Sequence, residues 1–166
     1  HFFDPHNPYD PVPEQAKLFP PLSANPTELE RDIANYDAEI HFADQEMGKL
    51  LDALAKAGLL DDTLVIVAGD HGEAFGEHVE HGHGIFCYEE TLRVPLIVHA
   101  PGRFKPGRVA ARVGLVDVMP TLLEALGAAV PPTVQGASFL PALKGRSLDG
   151  ERAYYFESLY GLEEMN

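Results

Sequence analysis

Two continuous apolar runs constrain this chain most. Thr63-Leu64-Val65-Ile66-Val67-Ala68 and Val94-Pro95-Leu96-Ile97-Val98-His99 are rich in β-branched residues and show little polar alternation. Such runs are typical of strands covered on both faces, as in the parallel sheets of α/β domains. Pro95 has no N–H to donate, so it belongs near the start of its strand or at an unpaired position. The 166 residues suit one domain able to bury roughly 70% of its unfolded surface.

A long helix is expected before the first run. Asn25-Pro26-Thr27-Glu28 offers a cap, a proline for the first helical position and an acid two residues later. Leu29, Ile33, Tyr36, Ile40, Ala43, Met47, Leu50 and Leu54 then recur in steps of four and three. That spacing makes one buried stripe on a helix of about eight turns ending at Gly58. The repeat also suits a coiled coil. Its polar side lacks regular charge pairing and a strand follows directly, which favours a helix packed on a sheet. Upstream, residues 1–23 hold six of the 14 prolines and read as a strand end followed by an extended loop. Downstream, the pattern predicts a helix over 116–126, a turn at Pro131-Pro132, a helical piece around 139–143 and a last strand over 153–156. No apolar run approaches the ~20 residues of a membrane span.

The chemistry concentrates between the two runs, in 25 residues with little apolar periodicity. A loop that long inside a compact domain usually has a job. Asp70-His71-Gly72-Glu73 stands at the carboxyl end of the first run, where open α/β sheets form their ligand crevices. His71, His78, His81 and His83 fall within 13 residues, interleaved with Glu73, Glu77 and Glu80. Carboxylate beside imidazole is a typical divalent-cation donor pair. Taken singly, each histidine reads as a surface residue on an acidic loop. The Asp-His pair at a strand end, followed by glycines, reads as a site. A structural zinc site is the chemical rival, but His78, His81 and His83 lack the spacing of its common motifs. His6, in the proline-bracketed Asp4-Pro5-His6-Asn7-Pro8-Tyr9, reads on its own as a loop-packing residue. Arg93 and Lys105 could meet an anion, yet no spacing selects them.

Charge and cysteine content narrow the partners. A net charge of −14 argues against a nucleic-acid surface, which needs clustered Lys and Arg. It does not argue against a small anionic substrate, since a bound cation reverses the local field. The single cysteine, Cys87, excludes a disulfide framework and multi-cysteine metal sites. Its apolar and acidic neighbours disfavour a thiolate, so a buried structural cysteine is expected.

Taken in order, these pieces resemble the sulfatase family of the alkaline-phosphatase-like superfamily. The resemblance is carried by 4–9, by Tyr36-Asp37-Ala38-Glu39-Ile40 through 47–51, by 63–73 with Gly76-Glu77-His78, and by Gly82-His83-Gly84. Tyr88-Glu89-Glu90, 93–98, Val116-Asp117-Val118-Met119-Pro120-Thr121-Leu122-Leu123 and Gln135-Gly136-Ala137-Ser138-Phe139 continue it. The implied fold is an α/β domain with a mixed, mostly parallel sheet flanked by helices. The implied activity is metal-dependent hydrolysis of sulfate esters. Asp70 and His71 would be ligands of a divalent cation, usually calcium, with manganese or zinc in related branches. His6 would donate to the sulfate or the ester oxygen, which overturns its reading as a packing residue. His83 would be the general acid at the leaving group.

The chain also departs from the family. Sulfatases carry a formylglycine made within Cys/Ser-x-Pro-Ser-Arg, and Cys87 precedes Tyr-Glu-Glu instead. The acidic pair that the family places near its amino terminus is not found either. Residues 1–166 are therefore expected to be a single partial catalytic domain lacking its amino-terminal half, inactive in isolation. Two alternatives stay open at this point. One is a phosphoryl or phosphoethanolamine transferase or a phosphodiesterase of the same superfamily; the other is an inactive metal-binding fragment. Many relatives are exported to the periplasm or beyond the cell.

Overall fold

The computed structural model describes residues 1–160. Its elements are α1 (Pro13–Ala16), α2 (Glu28–Lys56), β1 (Val65–Ala68), β2 (Ala74–Phe75), β3 (His81–Gly82), α3 (Glu89–Leu92), β4 (Leu96–His99), α4 (Val118–Ala125) and α5 (Leu140–Leu143). The chain divides into two compact units. One comprises His1–Leu60 with Glu73–His83; the other comprises Asp61–Gly72 with the residues from Gly84 onward.

In the first unit, α2 has the expected length but a different start. Thr27, not Asn25, is the cap: its side chain accepts from the Glu30 N–H, and the Glu30 side chain accepts from the Thr27 N–H. This reciprocal box satisfies two donors that an uncapped helix leaves open, so Pro26 stays outside the helix. Lys56 is the last helical residue and Gly58 follows with φ +68°, the left-handed exit that glycine favours.

The buried face of α2 also differs from the apolar stripe. Ala34, Ala38 and Glu39 are buried, whereas Ile33, Ile40 and Leu50 are 39–54% exposed. Two residues along a helix is more than half a turn, so Ala34 and Ala38 lie across the axis from Tyr36 and Ile40. Their small side chains let the proline-rich segment lie close. Asn35 donates to the Tyr9 carbonyl at 3.1 Å, Glu39 accepts from the Asp10 N–H at 2.7 Å, and Gln15 donates to Gln45 at 2.8 Å. The segment itself holds one helical turn, α1, and no strand. The periodicity marked the apolar face correctly; the polar partners of the proline segment selected another.

The second unit contains the two apolar runs as β1 and β4, and here the expected parallel pairing fails. The strands are antiparallel, with Val65 opposite His99 and Ala68 opposite Leu96. The expected cover on both faces is not found either: no residue of β1 or β4 is buried, and Ile97 is 58% exposed. Pro95 immediately precedes β4, as expected. The pairing continues past the strand ends through Gly69 N–H to Pro95 O at 3.1 Å and Gly72 N–H to Thr91 O at 2.7 Å. A Cβ at Gly72 would stand 2.0 Å from the Glu90 carbonyl oxygen, so this crossing admits no side chain.

The core of this unit lies around α4 and α5. A 3-10 turn, Leu115–Asp117, leads into α4, and Phe139 and Leu140 are buried at the start of α5. Asp117, 2% exposed, accepts from the Gly114 N–H at 3.1 Å, the Ala137 N–H at 2.8 Å, Arg152 Nη1 at 3.0 Å and the Tyr154 hydroxyl. Arg152 also donates to the carbonyls of Ala137 and Ser138. Residues 153–156 form no strand; Tyr154 is held by its hydroxyl instead.

Candidate functional site

Each unit carries part of the predicted constellation. In the second, β1 ends at Ala68, and the tight Gly69 crossing delivers Asp70 and His71 directly after it. The Asp70 carboxylate is 80% exposed, and its Oδ1 accepts from the His71 N–H at 3.2 Å. His71 Nδ1 lies 2.8 Å from the Gly72 carbonyl oxygen. A carbonyl only accepts, so Nδ1 carries the hydrogen and Nε2 is left with its lone pair. Nε2 stands 4.0 Å from Asp70 Oδ1. An anionic oxygen beside an imidazole nitrogen whose far side is pinned to a carbonyl is a donor pair suited to a divalent cation.

The first unit brings His6 and His83 together. A short hairpin does this: β2 pairs with β3, Ala74 opposite Gly82 and Phe75 opposite His81. The next position in that register sets Glu73 opposite His83. Their side chains meet, Glu73 Oε1 to His83 Nδ1, at 2.9 Å. The Glu73 carboxylate is 4% exposed, and its other oxygen accepts from the Tyr9 hydroxyl at 2.8 Å. Tyr9 packs against Tyr36 and Phe75 with ring centroids 5.6 and 5.7 Å away. The His6 ring stands edge-on to His83 at 5.2 Å, and its Nδ1 is 2.7 Å from the Asn7 carbonyl. Burial, then the hydrogen bond to Glu73, holds the Tyr9 phenol well above its ordinary value. Burial likewise raises Tyr36.

His78 and His81 lie on the exposed turn side of the hairpin. His78 has φ +52° and Val79 φ +61°, and the Glu77 carboxylate accepts from the Phe75 N–H at 2.6 Å. Cys87 is exposed rather than buried. Its neighbours Ile85, Phe86 and Tyr88 are exposed as well, so an apolar stretch did not here imply an interior one. Arg93 is an exposed partner of Glu89, four residues back, at 3.8 Å.

What the sequence concealed is the contact of Glu73 with Tyr9 and His83. The link to Tyr9 spans 64 positions, and the strands that align Glu73 with His83 are two residues each. Such strands are too short for any periodicity; only the glycines around 76 and 82 hint at a turn.

Comparison with known proteins completes the picture. The family model described as "Sulfatase" matches residues 1–128. The chain is 36% identical over 128 residues to N-acetylglucosamine-6-O-sulfatase of Bacteroides thetaiotaomicron, covering 75% of this chain. It is 36% identical over 129 residues to arylsulfatase K of Mus musculus, covering 78% of this chain. It spans 23% of the length of each of these two relatives. Among solved structures, phosphonate monoester hydrolase SpPMH of Silicibacter pomeroyi superposes with a TM-score of 0.70 at 31% identity. That match covers 83% of this chain and 29% of the other.

Proposed function

Because the chain belongs to the sulfatase family, within the alkaline-phosphatase-like superfamily and its α/β fold, we propose that the protein it forms part of hydrolyses sulfate esters. In this reading residues 1–166 are part of the catalytic domain and supply some of the metal ligands and the proton donor. The observation that carries the reading is the Asp70–His71 pair, with His71 Nδ1 at 2.8 Å from the Gly72 carbonyl and Nε2 at 4.0 Å from Asp70 Oδ1.

Asp70 Oδ1 and His71 Nε2 fit a divalent cation by donor type and separation, and the family resemblance makes calcium the first choice. Such a cation, when bound, withdraws charge from the sulfate oxygens. The chain's own residues then divide the remaining work. His6, its Nδ1 engaged by the Asn7 carbonyl, donates from Nε2 to a sulfate or ester oxygen. His83, its Nδ1 engaged by Glu73, gives a proton from Nε2 to the departing oxygen as the S–O bond breaks. No Cys/Ser-x-Pro-Ser-Arg occurs among the 166 residues, so the nucleophile, a formylglycine by resemblance, comes from elsewhere in the protein.

The test is sulfate release by the full-length protein, with its metal content measured beside it. The expected result is hydrolysis of aryl sulfates, with Asp70→Ala losing both the bound cation and at least about 100-fold in rate, since losing a ligand costs no less than losing one that merely supports it. Turnover of phosphate esters with none of sulfate esters would overturn the proposal.

A further inference from the structure

The first unit contains a buried carboxylate that enters the roles above only as a contact of His83. Glu73 is not on the exposed face of the hairpin; its carboxylate is 4% exposed and accepts from two partners at once. Burying a carboxylate costs several kcal/mol unless it is fully hydrogen-bonded, so one built into this position implies a use for its orientation.

Each partner is fixed in turn. Tyr9 is clamped by Tyr36 and Phe75, and its backbone carbonyl accepts from Asn35 of α2. Because burial and the Glu73 bond push the phenol up, it stays a donor across the working pH range. His83 is held by the hairpin register that places it opposite Glu73. With the Tyr9 hydroxyl donating to Oε2, Glu73 meets His83 through Oε1 as an acceptor, and His83 Nδ1 carries the hydrogen of their contact. The ring then has one free choice removed: Nε2, not Nδ1, is the nitrogen that exchanges a proton with substrate.

We infer that Glu73, itself braced by Tyr9, is a positioning residue that fixes the ring orientation and tautomer of His83 for proton delivery to the leaving group. The inference rests on the reading of His83 as the acid. In the step itself the S–O bond breaks, its electron pair stays on the ester oxygen, and the proton on His83 Nε2 moves to that oxygen. His83 is left neutral, with its Nδ1–H still on Glu73. Glu73 neither gives nor takes a proton and touches no substrate.

Leaving-group dependence tests this, because only a defect in proton delivery scales with the basicity of the departing oxygen. The full-length enzyme is assayed on para-nitrophenyl sulfate, whose phenolate leaves unaided, and on para-methoxyphenyl sulfate, whose phenolate needs a proton. Glu73→Gln is expected to lower kcat on the methoxy ester by roughly tenfold to a hundredfold, the range for residues that orient another group. KM and the rate on the nitro ester should barely move, and His83→Ala should show the same selectivity more strongly. A selective loss in His83→Ala, with a uniform loss or none in Glu73→Gln, overturns the inference and leaves His83 as the acid. No selective loss in His83→Ala overturns that assignment and this inference with it. Should Glu73→Gln fail to fold, Tyr9→Phe decides: a smaller loss confined to the methoxy ester is expected, and a uniform change or none overturns the inference.

Discussion

Asp117 shows how one buried side chain can organise a whole stretch of sequence. Burial by itself would raise its pKa, but hydrogen bonds from Tyr154, Ala137 and Gly114 and the charge of Arg152 outweigh burial and hold it below the ordinary 3.8. A carboxyl whose folded pKa is lowered stabilises the fold above its unfolded value, and that contribution disappears as pH falls through the folded value. Asp117→Asn is therefore expected to destabilise at neutral pH by about 3 kcal/mol, as for a broken buried pair. The gap between variant and wild type should close below pH 3.8; urea midpoints measured across the acid range check it. The same residue marks how far sequence carries. Val116-Asp117-Val118-Met119-Pro120-Thr121 was recognisable as a family segment, yet nothing in it reveals that the aspartate reaches Arg152 and Tyr154, 35 and 37 positions on. As a candidate donor pair, Asp70 and His71 were legible because both sit in one dipeptide at a strand end. The contacts of Glu73 were not, since their partners lie ten and 64 positions away.

At the scale of elements, length and type were more legible than direction and packing. The eight-turn helix, its glycine exit and both principal strands follow from apolar spacing and β-branched runs. The antiparallel sense of β1 and β4, and the choice of Ala34 and Ala38 as the buried face of α2, were decided by contacts remote in sequence. Gly72 joins the two kinds of information. It follows the Asp-His pair and belongs to the crossing at Glu90 and Thr91, where a Cβ would meet a carbonyl oxygen at 2.0 Å. Gly72→Ala should cost about 1–3 kcal/mol, as overpacking does. Since His71 Nδ1 uses the carbonyl of that same residue, bound cation should fall with stability. Thermal unfolding and metal analysis of the full-length variant read the two effects separately.

For the molecule as a whole, the proposed function gives residues 1–166 a proton donor and part of a metal site, and no Cys/Ser-x-Pro-Ser-Arg occurs among them. The expected outcome for the isolated chain is no measurable sulfate-ester turnover at any calcium concentration; turnover abolished by His83→Ala would contradict this. The two-stranded pairing of β1 with β4 has a separate consequence. Among the described residues each of these strands has one strand neighbour, and an edge without a strand partner is the feature that invites pairing with another chain. Ile97 adds an apolar side chain 58% exposed on β4. Expressed alone, the chain should self-associate through strand addition, with light scattering that rises steeply with concentration. Ile97→Lys should suppress that rise, because a charge on an open strand is what natural sheets use to refuse a second copy.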